Sequence, residues 1–415
     1  MNTTTPETPA AFSKYQIFII AILAILQFSV ILDFMVLSPL GAILMPELDI
    51  TTKQFGFVVS AYAFSAGASG LLAAGFADRF DRKILLLFFY TGFIIGTILC
   101  ALAPSYPLLL VARIVTGIFG GVISAIGFAI VTDLFKMEVR GRVMGFILTA
   151  FAASQVLGIP IGLLLANQFS WHAPFWMIAG FSIITALVIA VYMKPVTDHL
   201  AFPSARNPFI HLWKTLTNSD YLKAFVTTTL LATGGYMLMP FGSAFSTNNL
   251  GLDINMLPWL YGITGVFTIT FGPLLGKLSD KIGKFNVFAM GTVVGIIMVA
   301  IYSNLGVTPF WLVTLINVLL FVGITSRITA SSALMSAVPE PQDRGAFMSI
   351  NSSVQQVSGG IAASVAGMIV MQKPSGLLEN YNILGYTVIC SMICVVGLMY
   401  ILNKHVQKKM GGKNV

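Results

Sequence analysis

The sequence predicts an all-α membrane protein with twelve transmembrane helices in two pseudo-symmetric six-helix bundles. Apolar residues make up 57% of its 415 residues and charged residues only 9%, whereas a water-soluble domain carries about 25% charged residues. Twelve apolar runs are long enough to cross a hydrocarbon core of roughly 30 Å, which takes about 20 helical residues. An aromatic content of 12% argues against a disordered chain.

The twelve predicted spans are numbered 1 to 12 along the chain. They lie near residues 16–45, 54–76, 84–103, 107–134, 143–168, 172–193, 222–247, 255–278, 285–304, 309–337, 347–371 and 383–403. The longest interval between them, 194–221, contains Asn207 and Pro208, which suit the start of a helix. We therefore expect a linker with a short amphipathic helix on the membrane surface, between an N-terminal bundle (1–193) and a C-terminal bundle (222–415).

The distribution of positive charge predicts the orientation. Of 23 Lys and Arg residues, Lys53 and Lys373 lie in loops on one side and Arg113 and Arg327 lie within spans, which leaves 19 on the other side. Positively charged loops stay in the cytoplasm, so both termini are predicted to be cytoplasmic. The net charge of +8 comes from these scattered loops, and no nucleic-acid partner is expected.

The two halves of the sequence repeat each other. Asp78 follows span 2 as Asp280 follows span 8, and an Arg-Gly pair begins at Arg140 after span 4 and at Arg344 after span 10. Both matches have an offset of about 200 residues. A duplicated six-helix unit is typical of secondary transporters.

Three motifs carry a resemblance to the major facilitator superfamily. The segments 74–83 and 276–284 resemble its loop motif G-x-L-x-D-R-x-G-R-K, and the run 110–117, which contains Arg113, resembles its R-x-x-x-G motif in the fourth helix. The run 154–162 is similar to the Gly/Pro motif in the fifth helix of the antiporters. The order of all elements resembles the twelve-helix drug/proton antiporters, especially their sugar-efflux (arabinose efflux permease-like) branch.

Two departures from these motifs are visible. Asp81 stands where the loop motif has its second Gly, and Pro160 comes one residue late in the fifth-helix motif. Because Asp is among the residues that adopt left-handed backbone conformations, we expect Asp81 to preserve the turn. The late Pro160 weakens the inference of antiport.

The resemblance implies the major facilitator fold and alternating access. It implies a monomer in the bacterial cytoplasmic (inner) membrane, whose partners are a small-molecule substrate and the lipid bilayer. The expected activity is proton-coupled export of small organic molecules, drug-like or sugar-like. The alternatives are proton-coupled or facilitated uptake of a small solute, or a lipid or lysolipid flippase.

An enzyme is not expected, because the spans contain no His and a single carboxylate. The chain has no G-x-x-x-x-G-K-[ST] loop for ATP, so we expect a proton gradient as the energy source and no cofactor. The three cysteines, Cys100, Cys390 and Cys394, lie in apolar runs. We expect them to be buried packing residues, with neither a metal site nor a disulfide.

Charged residues at the inner ends of the helices form a predicted gate. In the family such residues form ion pairs that join helices while the cavity opens outward, and the alternative is that they only set the topology. The candidates in this sequence are Asp78, Arg82, Asp133 and Arg142, with Asp280 and Lys284 as the counterpart in the second half.

Only Asp33, Arg113 and Arg327 place a charge deep in a span. Such a charge costs at least ~2.5–3.5 kcal/mol on insertion scales and normally serves a function. The resemblance places all three on helices 1, 4 and 10, which line the central cavity. Asp33 is the predicted proton or substrate site; the alternative is a structural carboxylate neutralised by Arg113.

Each arginine has two interpretations. Arg113 either favours ionisation of a nearby carboxylate or anchors backbone carbonyls. Arg327 either binds an anionic or hydroxyl-rich substrate or extends to the inner interface. Further residues could line the substrate cavity, although each alone is compatible with simple packing: Gln27, Phe34, Thr116, Ser124, Tyr236, Asn317, Asn351 and Gln355.

Overall fold

A computed structural model describes residues 12–73, 79–201, 208–340 and 343–411, and these are almost entirely helical. The helices are α1 (Lys14–Val36), α2 (Gly41–Glu47), α3 (Thr52–Ala73), α4 (Arg82–Leu102), α5 (Tyr106–Leu134), α6 (Met137–Ala153), α7 (Ile159–Gln168), α8 (Ala173–Tyr192), α9 (Pro208–Leu216), α10 (Ser219–Leu238), α11 (Gly242–Asn248), α12 (Leu257–Ile282), α13 (Lys284–Tyr302), α14 (Phe310–Ala337), α15 (Arg344–Ile369) and α16 (Tyr381–Gly411). Strands β1 (Met371–Gln372) and β2 (Leu378–Glu379) form a small antiparallel hairpin before α16.

Eleven helical segments in the described part of the chain are long and apolar enough to cross a membrane. They correspond to every predicted span except span 11. The helix at that position, α15, has 26 residues, but Ser, Asn and Gln residues on several of its faces lower its hydropathy. A membrane-spanning, mainly α-helical chain is therefore established, and the count of twelve spans stays a prediction.

Three spans are interrupted, each near a proline. Span 1 divides into α1 and α2 around Pro39, and span 7 divides into α10 and α11 at a 3₁₀ turn that contains Pro240. In span 5, α6 and α7 are joined by a π-helical turn at Ser154–Gly158. Pro160 follows this turn and has no N–H to donate to the preceding turn of the helix. This explains why the α-helical hydrogen-bond pattern gives way to a π-helical one there.

The two halves of the chain touch through small residues on α3 and α15. A Cβ atom on Gly56 would lie 2.8 Å from the carbonyl oxygen of Ala363, so the two backbones are in close contact. The Ser60 hydroxyl donates a hydrogen bond to the Gly360 carbonyl at 2.8 Å. The Thr52 hydroxyl similarly donates to the carbonyl of Val370, directly after α15, at 2.6 Å.

Further contacts between the halves lie at the end remote from the 194–221 linker. The Ser243 hydroxyl, on α11, donates to the Ser38 carbonyl at 3.3 Å. The Asn167 amide, at the end of α7, donates to the Ile254 carbonyl at 3.1 Å. The molecule is thus closed at the end opposite the linker.

A short helix, α9, lies within the predicted linker, and Trp213 on this helix is 66% exposed. Asn207, its expected cap, lies outside the described residues. The prediction for the cysteines was wrong in part: Cys100 is buried, but Cys390 and Cys394 are exposed. Both lie on a face of α16 that no other helix covers, where a small apolar side chain suits a lipid-facing surface as well as a packed one.

The substitution Gly56→Val tests the contact between α3 and α15. The added side chain would overlap the α15 backbone, and overpacking of this kind costs about 1–3 kcal/mol. We expect a lower melting temperature for the purified protein in detergent. Gly180→Val in α8, where nothing lies within 4 Å of the added Cβ, is the matched control, and equal melting of the two variants would contradict this packing.

Candidate functional site: a buried ion pair and its surroundings

Asp33 of α1 and Arg113 of α5 form an ion pair with no solvent exposure. Arg113 Nη1 donates to Asp33 Oδ2 at 2.7 Å, and both side chains are completely buried. The Thr97 hydroxyl, on α4, is 3.4 Å from the other carboxylate oxygen, to which it donates. Such a pair is stable only while both partners are present, because removal of one leaves a buried charge unpaired.

Close packing of α4 on α5 holds the pair in place. A Cβ on Gly96 would lie 2.7 Å from the Thr116 backbone nitrogen, so only Gly allows this approach. Thr116 itself is fully buried, and its hydroxyl donates to the Ala112 carbonyl at 2.7 Å. The structure therefore places Thr116 against α4, where it supports the ion pair without facing a cavity.

Aromatic rings connect the ion pair to the second half of the molecule. The Arg113 guanidinium lies 4.7 Å from the centre of the Tyr62 ring, within the range of a cation–π interaction. The Phe34 ring is 5.2 Å from the Tyr62 ring and 5.8 Å from that of Tyr236 on α10. Within the described residues, Arg113 Nε and Nη2 have no hydrogen-bond partner. Asp33 and the Tyr62 ring are therefore the principal partners of the Arg113 cation.

Two amide–hydroxyl pairs lie on either side of the interface between the halves. In the first half, the Ser124 hydroxyl donates to Gln27 Oε1 at 2.9 Å. In the second half, the Thr228 hydroxyl donates to Asn351 Oδ1 at 2.6 Å. In both pairs the amide oxygen is occupied, which leaves the amide N–H groups as donors.

The remaining predicted cavity residues are less closely connected. Gln355 is exposed on α15, and Asn317 is buried with its Oδ1 unpaired within the described part of the chain. Sequence reasoning missed Tyr62, Thr97 and Thr228. Tyr62 and Thr97 lie on spans 2 and 3, which were not expected to line the cavity.

Arg327 is not brought to the Asp33–Arg113 pair. Its side chain is 4% exposed, and its guanidinium lies 5.5 Å from the centre of the Phe288 ring on α13. Gly291 of α13 allows this close contact, since a Cβ there would be 2.5 Å from the Ser326 side chain. Arg327 makes no ion pair with any described residue, so the structure places a buried cation between α13 and α14.

The predicted gate is only partly assembled. Arg82 Nε lies 3.1 Å from Asp133 Oδ2, and Lys284 pairs with Asp280 in an exposed contact one helical turn apart. Arg142 instead packs its guanidinium on the Phe12 ring, 5.1 Å from its centre. Asp78 lies outside the described residues.

The departure at Asp81 has a structural explanation that differs from the expected one. Its φ of −54° is not left-handed, so the residue does not replace a glycine turn. Instead Asp81 Oδ1 accepts the Lys83 N–H at 2.8 Å, which caps α4, and the Val196 N–H of the linker at 3.0 Å. Asp81 therefore attaches the linker to the first half.

No group of three or more His, Cys, Asp or Glu side chains that could hold a metal ion is found within the ranges described above. The described residues of the site offer charges and hydrogen bonds. One carboxylate can exchange a proton, one arginine can hold or release that carboxylate, and amide and hydroxyl groups can bind a polar molecule.

We predict that Arg113→Met destabilises the protein by about 3–5 kcal/mol, because Asp33 would remain buried without a partner. The double variant Asp33→Asn/Arg113→Met should recover most of this loss. Thermal unfolding in detergent measures both effects. Lys284→Met, which breaks an exposed ion pair, is the control and should cost less than about 1 kcal/mol. If Arg113→Met were as stable as this control, the burial of the Asp33–Arg113 pair would be contradicted.

Comparisons with known proteins identify the family. The model of the Major Facilitator Superfamily matches residues 23–364 and, in a second match, 224–410. An uncharacterised transporter of this superfamily from Bacillus subtilis (strain 168), YceJ, is 28% identical over 341 residues, which are 81% of this chain and 85% of the relative. A probable sugar efflux transporter of Helicobacter pylori (strain G27) is 25% identical over 323 residues, 77% of this chain and 80% of the relative.

Solved structures agree on the fold. A bacterial homologue of the human lysosomal transporter Spinster, in an inward-facing and unoccupied conformation, superimposes with a TM-score of 0.70 at 15% identity, over 95% of this chain and 97% of the other. The family model, the relatives and the fold lead to one conclusion: this chain belongs to the major facilitator superfamily, and it is a transporter, not an enzyme.

Proposed function

We propose that this transporter exports small organic molecules, drug-like or sugar-like, in exchange for protons. The observation that carries the proposal is the Asp33–Arg113 pair, which is fully buried directly beside the Phe34–Tyr236 contact between the two halves. The name of the Helicobacter pylori relative supports export.

The proposed setting is that of the antiporters it resembles. Twelve spans would form bundles at 1–193 and 222–415, joined by the linker at 194–221, with both termini in the cytoplasm of a bacterium and the spans in its inner membrane. The protein would act as a monomer whose only partners are substrate and bilayer. It would use the proton gradient, with no metal or cofactor.

Proton coupling would follow from the position of Asp33. In the present conformation the ion pair has no access to the external side, because the halves are closed at the end remote from the linker. We call this the sealed arrangement. If the halves rock so that this end opens, Phe34 and Tyr236 separate and the region beside Asp33 gains access to the external side. A proton taken up there would neutralise Asp33 and release Arg113 from its counter-charge.

The two protonation states would then favour different conformations. A buried arginine without a neighbouring anion is costly, so a neutral Asp33 disfavours the sealed arrangement. A ligand shifts a conformational equilibrium only through its different affinity for the two states, and a proton on Asp33 meets that condition. The proton would be carried inwards as the external end closes, and its loss towards the cytoplasm would restore the Asp33–Arg113 pair and stabilise the sealed arrangement.

Substrate would bind between the halves near the bilayer centre. Gln27 is about 13 residues into α1, or roughly 20 Å from its start at 1.5 Å per residue. Its amide, with that of Asn351 in the other half, offers N–H donors to a polar molecule. Arg327 would contribute a positive charge towards anionic or hydroxyl-rich substrates.

The charges near the linker would act as the inner gate. Arg82 and Asp133 would hold the inner ends of α4 and α5 together, Asp78 and Arg142 would contribute to the same gate, and Asp280 and Lys284 would be the second-half counterpart. A change in these pairs would alter the balance between conformations by ~1–3 kcal/mol.

The test is transport into or out of proteoliposomes driven by a pH gradient, with a panel of sugars, lipophilic cations and lysolipids. We expect Asp33→Asn/Arg113→Met to fold and to lose pH-driven transport while it retains downhill flux of the same substrate. Asp220→Asn, at an exposed carboxylate outside the proposed site and gate, is the control and should keep the pH response. An unchanged pH dependence in the double variant would reduce Asp33 to a structural role, and accumulation of substrate with the proton flow would indicate uptake.

A further inference from the structure

The linker docks onto the first half and brings a histidine into the inner charge cluster. The backbone N–H of Arg82 donates to the Val196 carbonyl at 3.2 Å, and the backbone N–H of Val196 donates to Asp81 Oδ1 at 3.0 Å. A short 3₁₀ turn at Asp198–Ala201 follows. This turn places His199 beside Asp133, the carboxylate that also pairs with Arg82.

Both ring nitrogens of His199 face acceptors. Nε2 lies 3.1 Å from the Phe80 carbonyl oxygen, which can only accept, so Nε2 carries a hydrogen. Nδ1 lies 3.4 Å from Asp133 Oδ2; it is buried and makes no hydrogen bond to any described residue. In a neutral ring, Nδ1 would turn its lone pair towards a carboxylate oxygen, whereas in the doubly protonated ring the two groups attract.

Little water screens this attraction, because the side chains of His199 and Asp133 are only 12% and 15% exposed. The charged residues on the elements packed here are Arg79, Asp81, Arg82 and Lys83 around the start of α4, Asp133, Lys136 and Arg140 between α5 and α6, and Lys194 and Asp198 in the linker. Of these, Asp133 faces the ring directly, and it also pairs with Arg82.

The geometry points to His199 as a positioning residue that fastens the linker to the Arg82–Asp133 pair in a pH-dependent way. The doubly protonated ring is held between Asp133 and the Phe80 carbonyl, and a ring that has lost a proton is released. Acidification therefore fixes the linker against the inner ends of α4 and α5. We call the contact of His199 with Asp133 and the Phe80 carbonyl the latch. It is independent of proton transfer at Asp33.

A second linker histidine provides a matched control. His211 Nε2 lies 3.0 Å from Asp343 Oδ1, and the side chains of the two residues are 29% and 23% exposed. Because only one ring nitrogen faces an acceptor, a neutral ring with a hydrogen on Nε2 satisfies this contact. His211 resembles His199 in sequence context but does not require a second proton.

The first experiment places a nitroxide spin label at Leu200, which is 39% exposed, in a variant whose three cysteines are replaced by serine, in lipid nanodiscs. We expect an immobilised spectral component at acidic pH that is lost as the pH rises. His199→Gln should lack that component at every pH, and His211→Gln should behave as the parent. A label equally mobile at all pH values in the parent, or the same pH response in His199→Gln, would overturn the proposal.

A second measurement reports the protonation state of the His199 ring directly. Nitrogen-15 spectra of histidine-labelled protein distinguish a doubly protonated ring from a neutral one, and spectra of the His199→Gln protein identify the His199 signals by their absence. We expect both His199 nitrogens to be protonated wherever the label is immobilised. A neutral His199 ring under those conditions would show that the linker is held by other contacts.

Discussion

A salt bridge without access to water is the constraint on which the rest of this structure depends. Asp33 and Arg113 lie 2.7 Å apart and are entirely buried, and neither charge can be left alone in that environment. The glycine contacts between α4 and α5, the Thr97 hydroxyl and the Tyr62 ring all serve to keep the two side chains together. A transporter that must move around such a pair needs a way to neutralise it, and a proton is the simplest.

The closed end of the molecule is built from different interactions. Small residues bring the backbones of α3 and α15 into contact, and hydroxyl groups of Thr52 and Ser60 bond directly to carbonyls on the opposite helix. Such contacts hold the two helices together through backbone groups and short side chains. The ion pair and the interface between the halves meet at Phe34 and Tyr236. A movement at the interface can therefore change the surroundings of the ion pair.

The sequence predicted the fold more fully than the site. Apolar runs and scattered loop charges are sufficient for membrane helices, because the bilayer allows few other structures. The meeting of Asp33 and Arg113 could also be anticipated, since a charge within a span normally pairs with another charge or faces a cavity. Tyr62 and Thr97 could not, because polar residues that satisfy a buried charge have no distinctive spacing. His199 was missed for a related reason: its role arises from the way the linker folds back onto Asp81 and Asp133.

We propose that the protonation of Asp33 changes between the two conformations of the transporter. Infrared difference spectroscopy on the membrane-reconstituted protein measures this directly, by comparing the protein sealed at the end remote from the linker with the protein opened at that end. The account predicts that the carbonyl band of a protonated carboxyl group appears on opening and is absent from Asp33→Asn/Arg113→Met. An Asp33 that stays ionised in both conformations would contradict it.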